Sequence, residues 1–482
     1  MKKLKALLDK YPWLIYVAGL IPFFVGCYGY AITGEMTFWE IIYAVIAIYF
    51  VNPVTDTTNG FILFAELTSV IVTAGIILSV LKFALVKIEH FFYRFNSDTT
   101  VVYTDNDLGE NLGKTLKHGY VIKELTKPEK VKNHIFMLKD DAEAISFYST
   151  NEKKLKGKNV YMMMTDLDAT LLKAADSSEA ELHFFNIYDM MARDYWKKNN
   201  LYDHREDHLK IAVIGTGDVA EAIIKYGYLN NIYSLKQEYE YHIWGLSGSV
   251  ASFISALPTE NKDRIIVHEG NWDDDMDILA EMDRVIYADE DEQIELIQKI
   301  LYVNPLAEIH CYSTEEIDYE DVYESRKIVV FGNMKDILTE DNVRNETLYE
   351  LGKLFNYDYA LRYSETNAKP GFEKEMEKEW KKLDGFKKSS SVARADHYWI
   401  EKRLKEEGIM DENDEAAWII EHIRWSRFHF ANHWSYAEKR DNLRRKHNLL
   451  VPYEKLDQKE KEKDGIYDAT IKARIDALVE NS

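Results

Sequence analysis

Residues 11–81 contain no lysine and no arginine, although the 482-residue chain carries 60 of these basic residues. Two stretches inside this gap, Trp13–Thr33 and Phe61–Leu81, are almost wholly apolar. About 20 residues in a helix rise about 30 Å, which is the thickness of the hydrocarbon core of a bilayer. The pattern predicts a membrane α-helical segment with two spans in residues 1–96. The first stretch is too long for the apolar core of a signal peptide and lacks a small-residue cleavage site.

A third apolar stretch, Phe38–Val51, lies between the two predicted spans and is too short to cross a bilayer as an ordinary helix. Its length predicts a short re-entrant helix, and the polar, turn-forming residues 52–60 follow it. Two-helix cation channels have this order of helix, short pore helix, polar loop and helix. A two-span anchor with an amphipathic hairpin between the spans accounts for the same pattern.

The acidic and hydroxyl side chains of this region are the candidates for a pore lining. Glu66 lies about one turn inside the second predicted span, where a carboxylate indicates a function unless it is shallow enough to reach the headgroups. The candidate pore residues are Thr55, Asp56, Thr57, Thr58 and Glu66.

Basic residues precede the first span and follow the second span. The loop between the spans carries Glu35, Glu40 and Asp56 and no basic residue. The positive-inside rule places both chain ends in the cytosol. We therefore expect a multi-pass protein of the inner (plasma) membrane, in contact with lipid. The flanking basic residues are Lys2, Lys3, Lys5, Lys10, Lys82, Lys87 and Arg94.

The composition of the whole chain excludes several classes of function. A net charge of −22 disfavours binding of nucleic acid through an overall positive field. The two cysteines, Cys27 and Cys311, provide neither a disulfide framework nor a cysteine-based metal site. The spacing of the histidines likewise gives no convincing metal site, and a pair at His429 and His433 has no matching cysteine or carboxylate.

The clearest motif of the soluble body is a glycine turn between a strand and a helix. Leu209–Ile214 is a short buried strand, and Gly215-Thr216-Gly217-Asp218-Val219-Ala220 follows in the G-x-G-x-x-A pattern of phosphate-binding turns. Further strands alternate with helical stretches up to residue 331, so residues 206–372 predict a parallel Rossmann-like domain. Gly215, Gly217 and Asp218 are candidate ligand-binding residues, together with Asp289 after the fourth strand. A solvated turn is the alternative for Asp289.

The same domain lacks the other residues of a dehydrogenase. The second strand ends at Trp244-Gly245, without the acidic residue that holds the ribose of NAD. No histidine, lysine or tyrosine is placed for hydride transfer, and no hydrolase or Walker motif is present. We therefore expect a protein that is not an enzyme, with an NAD(P)-binding enzyme as the alternative.

Residues 97–205 predict a first Rossmann-like domain with a degenerate glycine turn. A strand at Thr100–Tyr103 leads into Thr104, Asn106 and Gly109, and a helix is expected over Glu110–His118. Without the usual glycines, a structural or dimerising role is favoured over nucleotide binding at this turn.

This order of elements resembles potassium-channel-like proteins with tandem RCK (TrkA-N-like) domains. The segment from His183 to Asp189, with Ala192-Arg193, is similar to the join between tandem units in bacterial relatives, and the likeness covers residues 10–335. It implies a homo-oligomer, with four subunits expected. The potassium filter T-V-G-Y-G is absent, because Val54–Gly60 reads VTDTTNG, so potassium selectivity is not supported.

The C-terminal region, residues 373–482, is predicted to be helical and carries several separately spaced motifs. A helix through Glu421-His422-Ile423-Arg424-Trp425 is followed by Asn432-His433-Trp434-Ser435-Tyr436 and by Lys439-Arg440-Asp441. Lys446-His447-Asn448 and Val451-Pro452-Tyr453 complete the series. Residues 416–476 thereby resemble the ryanodine-receptor (RyR) repeat domain, an all-α module whose bacterial members are thought to sense nucleotide-derived ligands.

The aromatic and basic residues of this module are suited to bind a nucleotide, because rings stack on bases and guanidiniums bind phosphates. A buried polar network of Glu421, His422 and Arg424 with tryptophans in the core is the alternative, and we assign Trp425 to the core. The candidate ligand-binding residues are Arg424, Trp434, Tyr436, Arg440, Lys446 and Tyr453.

Two classes of function remain open from the sequence. The first is a nucleotide-gated cation pore, in which a cytosolic ligand of unknown identity controls an oligomer; bacterial defence is one role that the resemblance allows. The second is a membrane-anchored nucleotide-binding sensor or NAD(P)-binding enzyme without a pore. A scaffold that only recruits partners is a weaker third interpretation.

Overall fold

The computed structural model describes residues 13–165, 180–259, 261–317, 319, 327–363, 372–411, 414–465 and 468–480. It divides into two compact units, Met1–Asn96 and Ser97–Ser482. Lys2, Lys3, Lys5 and Lys10, on which part of the orientation prediction rests, lie outside the described residues.

The first unit contains three apolar helices, α1 (Trp13–Thr33), α2 (Phe38–Tyr49) and α3 (Gly60–Tyr93). α1 and α3 pack closely, because a Cβ added at Gly29 would lie 2.9 Å from the Ile62 side chain. Within the described residues, one stretch of α3, Gly60–Leu78, is long and apolar enough to cross a membrane, whereas Gly19–Thr33 and Phe38–Tyr49 are shorter apolar helices. A membrane location of this unit therefore stays a prediction.

α2 turns back into the groove between the other two helices. The Tyr49 hydroxyl at its end donates to the Gly19 carbonyl of α1 (3.0 Å), and the Thr73 hydroxyl of α3 donates to the Tyr49 carbonyl (2.8 Å). Gly19 lies about 20 Å along α1 from Thr33, and Thr73 lies about 20 Å along α3 from Gly60. The end of α2 is therefore deep between α1 and α3.

Residues 50–59 return from that depth to the start of α3. The side-chain amide nitrogen of Asn59 donates to the Gly29 carbonyl (2.8 Å). The side-chain oxygen of the same residue caps α3 by accepting from the backbone amides of Phe61 and Ile62. Asp56 and Thr58 on this segment are exposed, Thr55 is half-buried, and Thr57 donates to Glu35 (3.2 Å). Glu66 in α3 is half-buried.

The second unit begins with a five-stranded parallel sheet in the order β2-β1-β3-β4-β5. Its strands are β1 (Thr100–Thr104), β2 (Gly119–Ile122), β3 (Asn133–Met137), β4 (Asn159–Met163) and β5 (Glu181–Phe185). The helices are α4 (Asp107–Gly113), α5 (Asp141–Leu155) and α6 (Ile187–Lys198). The helix predicted over Glu110–His118 is wrong in its bounds, because the Asn106 side chain accepts from the Gly109 amide (2.9 Å) and so starts α4 earlier.

A six-stranded parallel sheet follows in the order β11-β10-β9-β6-β7-β8, the doubly wound Rossmann arrangement. Its strands are β6 (His208–Ile214), β7 (Glu238–Trp244), β8 (Arg264–Val267), β9 (Arg284–Tyr287), β10 (Glu308–Tyr312) and β11 (Ile328–Phe331). The helices among them are α7 (Gly217–Asn230), α8 (Gly248–Ser255), α9 (Met276–Leu279) and α10 (Gln293–Val303). The predicted pair of parallel α/β Rossmann-like sheets is confirmed.

The chain then returns to the first sheet through α11 (Met334–Ile337) and α12 (Glu340–Arg344). The buried Glu340 carboxylate accepts from the Thr100 hydroxyl and from the Lys117 amide (3.1 Å). Arg344 also donates to Asp98 (2.9 Å). These contacts bind the segment that follows the second sheet to residues at the amino-terminal ends of strands in the first sheet.

The C-terminal region is mainly helical: α13 (Glu346–Tyr363), α14 (Phe372–Lys381), α15 (Gly385–Glu406), α16 (Glu415–Ala431), α17 (Gln458–Lys461) and α18 (Ala469–Glu480). Asp384 starts α15 by accepting from the Lys387 amide (2.8 Å) and so separates it from α14. The module predicted as all-α also contains two short paired strands, β12 (Ser435–Tyr436) and β13 (Lys446–His447). This is a small correction, since polar loop residues there pair through their backbones.

Candidate ligand-binding site

The glycine turn has the close backbone packing that the sequence predicts. A Cβ added at Gly215 would lie 2.8 Å from the Ala288 side chain, and one at Gly245 would lie 2.4 Å from the Gly215 carbonyl. Gly217 adopts φ +74° at the start of α7, a conformation that favours glycine. The turn therefore brings β6, β7 and β9 together at the carboxyl edge of the sheet.

A backbone amide of this turn already donates a hydrogen bond to a carboxylate of the protein. Asp289, after β9, accepts from the Thr216 amide at 3.1 and 3.2 Å and from its hydroxyl at 3.3 Å. Asp218 is exposed in the first turn of α7. Two carboxylates at the position where a phosphate would bind repel an anion. The geometry therefore opposes phosphate binding at Gly215 and Gly217, and it gives Asp289 the role of closing the turn.

A cavity of about 320 Å³ lies between α13, α15, α16 and the loops that follow α16. This volume falls in the range of about 300–1,000 Å³ that small-molecule sites occupy. Its walls combine aromatic rings, cations and neutral imidazoles. Among the lining residues are Phe355, Tyr359, Phe386, Arg394, Glu421, His422, Arg424, Trp425, His429, Arg440, His447 and Lys463.

Trp425 presents the largest ring in this cavity and is half-buried. Its ring centroid lies 4.1 Å from that of His429 and 5.0 Å from that of His447. Burial lowers the pKa of His429 to about 3 and that of His447 to about 4, so both imidazoles are neutral at pH 7. The indole is therefore held by uncharged rings, which leaves a surface suited to a flat base.

A buried ion pair forms the floor of the cavity. Arg424 donates to both carboxylate oxygens of Glu421, at 2.7 and 2.8 Å, and Arg394 lies 3.6 Å from the same carboxylate. Burial alone would raise the pKa of Glu421, but Arg424 and Arg394 outweigh burial and lower it to about 2. Glu421 and Arg424 thus form the buried polar network that was the alternative interpretation of the sequence.

The cations nearest to solvent are the ones that remain available to an anion. Arg440 is exposed and donates only to Asn442 (2.8 Å) among the described residues. Lys463 also lines the cavity, where it pairs with Glu460 (2.7 Å). A phosphate between these side chains would be close to solvent, whereas a base would reach Trp425.

The remaining predicted residues do not line this cavity. Trp434 is 7% exposed, and its ring stacks on Phe386 at 5.0 Å. Tyr453 is buried, Tyr436 is exposed, and Lys446 donates to the Ser435 hydroxyl (2.6 Å). Trp425, assigned to the core from sequence, lies in the cavity instead. Aromatic spacing along an apolar helix does not distinguish a core ring from a ring at a cavity wall.

One group of described residues has the spacing of metal ligands: His397, Glu401 and Glu421 offer atoms within 4.8 Å of one another. Two guanidiniums already surround Glu421 and oppose a divalent cation there. His429 and His433, the pair raised by sequence spacing, contact different rings, Trp425 and Phe253.

Comparison with known proteins supports the C-terminal assignment. Residues 413–478 match the profile of the family described as the RyR domain. No protein of curated function matches the chain.

Among solved structures, a dipicolinate synthase polypeptide from Bacillus halodurans is 10% identical, with a TM-score of 0.25, over 52% of this chain and 93% of its own. Apo D-lactate dehydrogenase from Escherichia coli is 12% identical, with a TM-score of 0.21, over 54% of this chain and 97% of its own. At these scores the likeness carries no argument about activity.

Proposed function

We propose that this protein is a membrane-associated, non-enzymatic receptor for a nucleotide-type small molecule, which binds in the cavity beside Trp425. The observation that carries the proposal is the combination of a half-exposed indole with neutral imidazoles and with Arg440 and Lys463 around about 320 Å³. Rings bind a base by stacking, and guanidinium and ammonium groups bind phosphate.

The competing location for a nucleotide is the glycine turn. Asp289 occupies the Thr216 amide, and β7 ends at Trp244 and Gly245 without a ribose-binding acid. Both features argue against NAD(P) at this turn. We therefore place the ligand in the RyR module and assign the two Rossmann-like domains a structural and transmitting role.

Replacing Trp425 by alanine is expected to weaken nucleotide binding about 10- to 100-fold, because a base loses a stacking partner contributing about 1–3 kcal/mol. Binding of the four ribonucleoside monophosphates to the full chain in non-ionic detergent is measured by isothermal titration calorimetry. Trp434→Phe is the matched control, since this buried ring does not line the cavity.

The result also separates the two locations. Asp289→Ala should leave the affinity unchanged if the ligand binds beside Trp425. Equal affinity of wild type and Trp425→Ala, or binding that responds only to Asp289→Ala, would refute the placement in the RyR module.

A second candidate function, a ligand-gated cation pore, is favoured by the course of α2. This helix runs into the groove between α1 and α3. Residues 50–59 then lead back to the start of α3, and Asp56 among them is exposed. The outer surface of the unit is apolar, with Leu20, Phe24 and Ile71 exposed. A bilayer around this surface and an oligomer around the returning segments, four subunits by resemblance, would place Asp56 near a common axis.

Purified full chain in liposomes is expected to pass monovalent cations when nucleotide is added. Asp56→Asn should reduce that flux several-fold, because a ring of carboxylates concentrates cations at a pore. Glu40→Gln is the matched control, since Glu40 accepts from the Thr37 amide (2.7 Å) and caps α2. Absence of flux with every nucleotide would leave a tethered receptor and remove the pore.

A further inference from the structure

A larger cavity, of about 940 Å³, lies between the two Rossmann-like domains and the C-terminal helices. It is lined by parts of β5, α6, α7, α13, α14, α15 and α16, and it includes neither the glycine turn nor Trp425. Its volume is at the upper end of the range of about 300–1,000 Å³ for small-molecule sites.

The charges in this cavity leave positive groups available. The Arg193 Nε donates to Asp396 (2.9 Å), and the guanidinium makes no other hydrogen bond within the described residues. The side chain of Arg193 is 22% exposed and lines the cavity. Lys381 is exposed at the margin.

Each of the carboxylates that line the cavity has a basic partner, although two of them share one lysine. Asp189 pairs with Lys225 at 3.1 Å, and Asp396 with Arg193 at 2.9 Å. Glu181 and Glu377 both pair with Lys353, Glu181 at 3.4 Å. An entering anion would therefore meet the terminal guanidinium nitrogens of Arg193, whose Nε is held by Asp396, and the ammonium of Lys381.

The apolar part of the wall consists of flat rings. Phe184, Tyr226 and Tyr349 are half-buried and face this space. We propose that the larger cavity is a second ligand site, which binds an organic phosphate with its phosphate at Arg193 and Lys381 and its ring among these aromatics. Arginine binds phosphate in bidentate fashion, and aromatic faces bind flat rings.

α15 is the wall between the two cavities. Ser389 and Val392 line the larger cavity, whereas Ser390 and Arg394 line the smaller one. Arg424 of α16 lines both. A ligand that shifted α15 from one side would change the space on the other, and the resulting coupling would be reciprocal.

The adjacent serines provide a matched test, because both are half-buried on the same helix. Ser389→Trp fills the larger cavity and Ser390→Trp fills the smaller one. With ADP as the probe, calorimetry on the full chain in detergent should give two sites in wild type and one in each variant. ADP binding in Ser390→Trp should weaken about tenfold or more on adding Lys381→Glu, which removes a charge-assisted contact at the larger cavity only.

Further arms distinguish the outcomes. Arg193→Lys keeps the pairing with Asp396, and adding it to Ser390→Trp should weaken ADP binding. This test does not require the Ser389→Trp variant to fold. If the wild type binds ADP at one site only and Ser390→Trp abolishes that binding, the proposal of a second site is overturned. The proposed site beside Trp425 would then stand. Absence of ADP binding in Ser390→Trp also overturns it.

Discussion

Replacing Arg427 by methionine is expected to destabilise the unit formed by residues 97–482 by about 3–5 kcal/mol, because the change leaves a charged Asp263 buried and unpaired. The Arg427 and Asp263 side chains are both 1% exposed and lie 2.8 Å apart. Arg427 also donates to the carbonyls of Tyr228 (2.9 Å) and Thr259 (3.0 Å). It is therefore the main polar link between α16 and the second Rossmann-like sheet.

The measurement is urea unfolding of the full chain in non-ionic detergent at pH 7, followed by tryptophan fluorescence. Arg444→Met is the matched control: its side chain is 82% exposed beside Asp441, and its loss should change stability by less than about 0.5 kcal/mol. Adding Asp263→Asn to Arg427→Met should recover part of the loss, because it removes the stranded charge. Equal unfolding midpoints for Arg427→Met and Arg444→Met would contradict this account.

The same link explains how a ligand beside Trp425 would act on the rest of the protein. Arg424 and Trp425 face the smaller cavity, and Arg427, less than one turn further along α16, is fixed to the second sheet. A displacement of α16 by a ligand is therefore transmitted to the sheet instead of being absorbed by a loose contact. Such transmission requires the ligand to bind two arrangements with different affinity.

The sheets could be predicted from sequence because their signals are local. Leu209–Ile214 is a largely apolar run followed by glycine, and the strands that begin at Arg264, Arg284 and Glu308 alternate with helices within the range predicted up to residue 331. Buried parallel strands need continuous apolar residues, and crossovers need helices between them, so both signals lie within short windows. The order β11-β10-β9-β6-β7-β8 then follows from the usual handedness and spacing of such units.

The state of the glycine turn could not be predicted, because the deciding contact is remote in sequence. Asp289 lies 73 residues from Thr216, and nothing between them indicates that its carboxylate accepts from the Thr216 amide. Arg427 and Asp263 are separated by 164 residues. Such pairs form only when the fold brings their elements together.

The sequence predicts the candidate ligand site in the module that borders the cavity, but on rings other than those that line it. Trp425 and Trp434 have the same chemistry, and only packing separates them: Phe386 of α15 covers Trp434, whereas Trp425 faces the cavity. Phe386 belongs to a charged helical stretch whose packing partner was not evident from its own sequence.

Acidification is expected to unfold the unit formed by residues 97–482 between about pH 6.5 and pH 4. Burial lowers the pKa of six largely or fully buried histidines well below the unfolded value of about 6.5. The pKa is lowered to about 4 for His134, His310, His397 and His447 and to about 3 for His429, and it is also lowered for His183.

The direction follows from proton uptake. Below pH 6.5 the unfolded chain binds protons that the folded chain excludes, so this stability is complete above pH 6.5 and is lost as the pH falls toward 4. Each pKa unit corresponds to about 1.4 kcal/mol, so the loss at these sites is of the order of the 5–15 kcal/mol by which domains are usually stable. Burial raises the pKa of Glu221, Asp358 and Asp464, which opposes the loss at these three carboxyl groups.

Near-ultraviolet circular dichroism of the full chain in uncharged detergent, followed from pH 7.5 to pH 4, measures this transition. His397→Gln removes one buried titrating group and should move the midpoint to lower pH, because the unfolded chain then gains one proton fewer. His208→Gln is the matched control, since the His208 side chain is 72% exposed. A spectrum that stays native at pH 4, or an equal shift in both variants, would show that the buried imidazoles do not control acid stability.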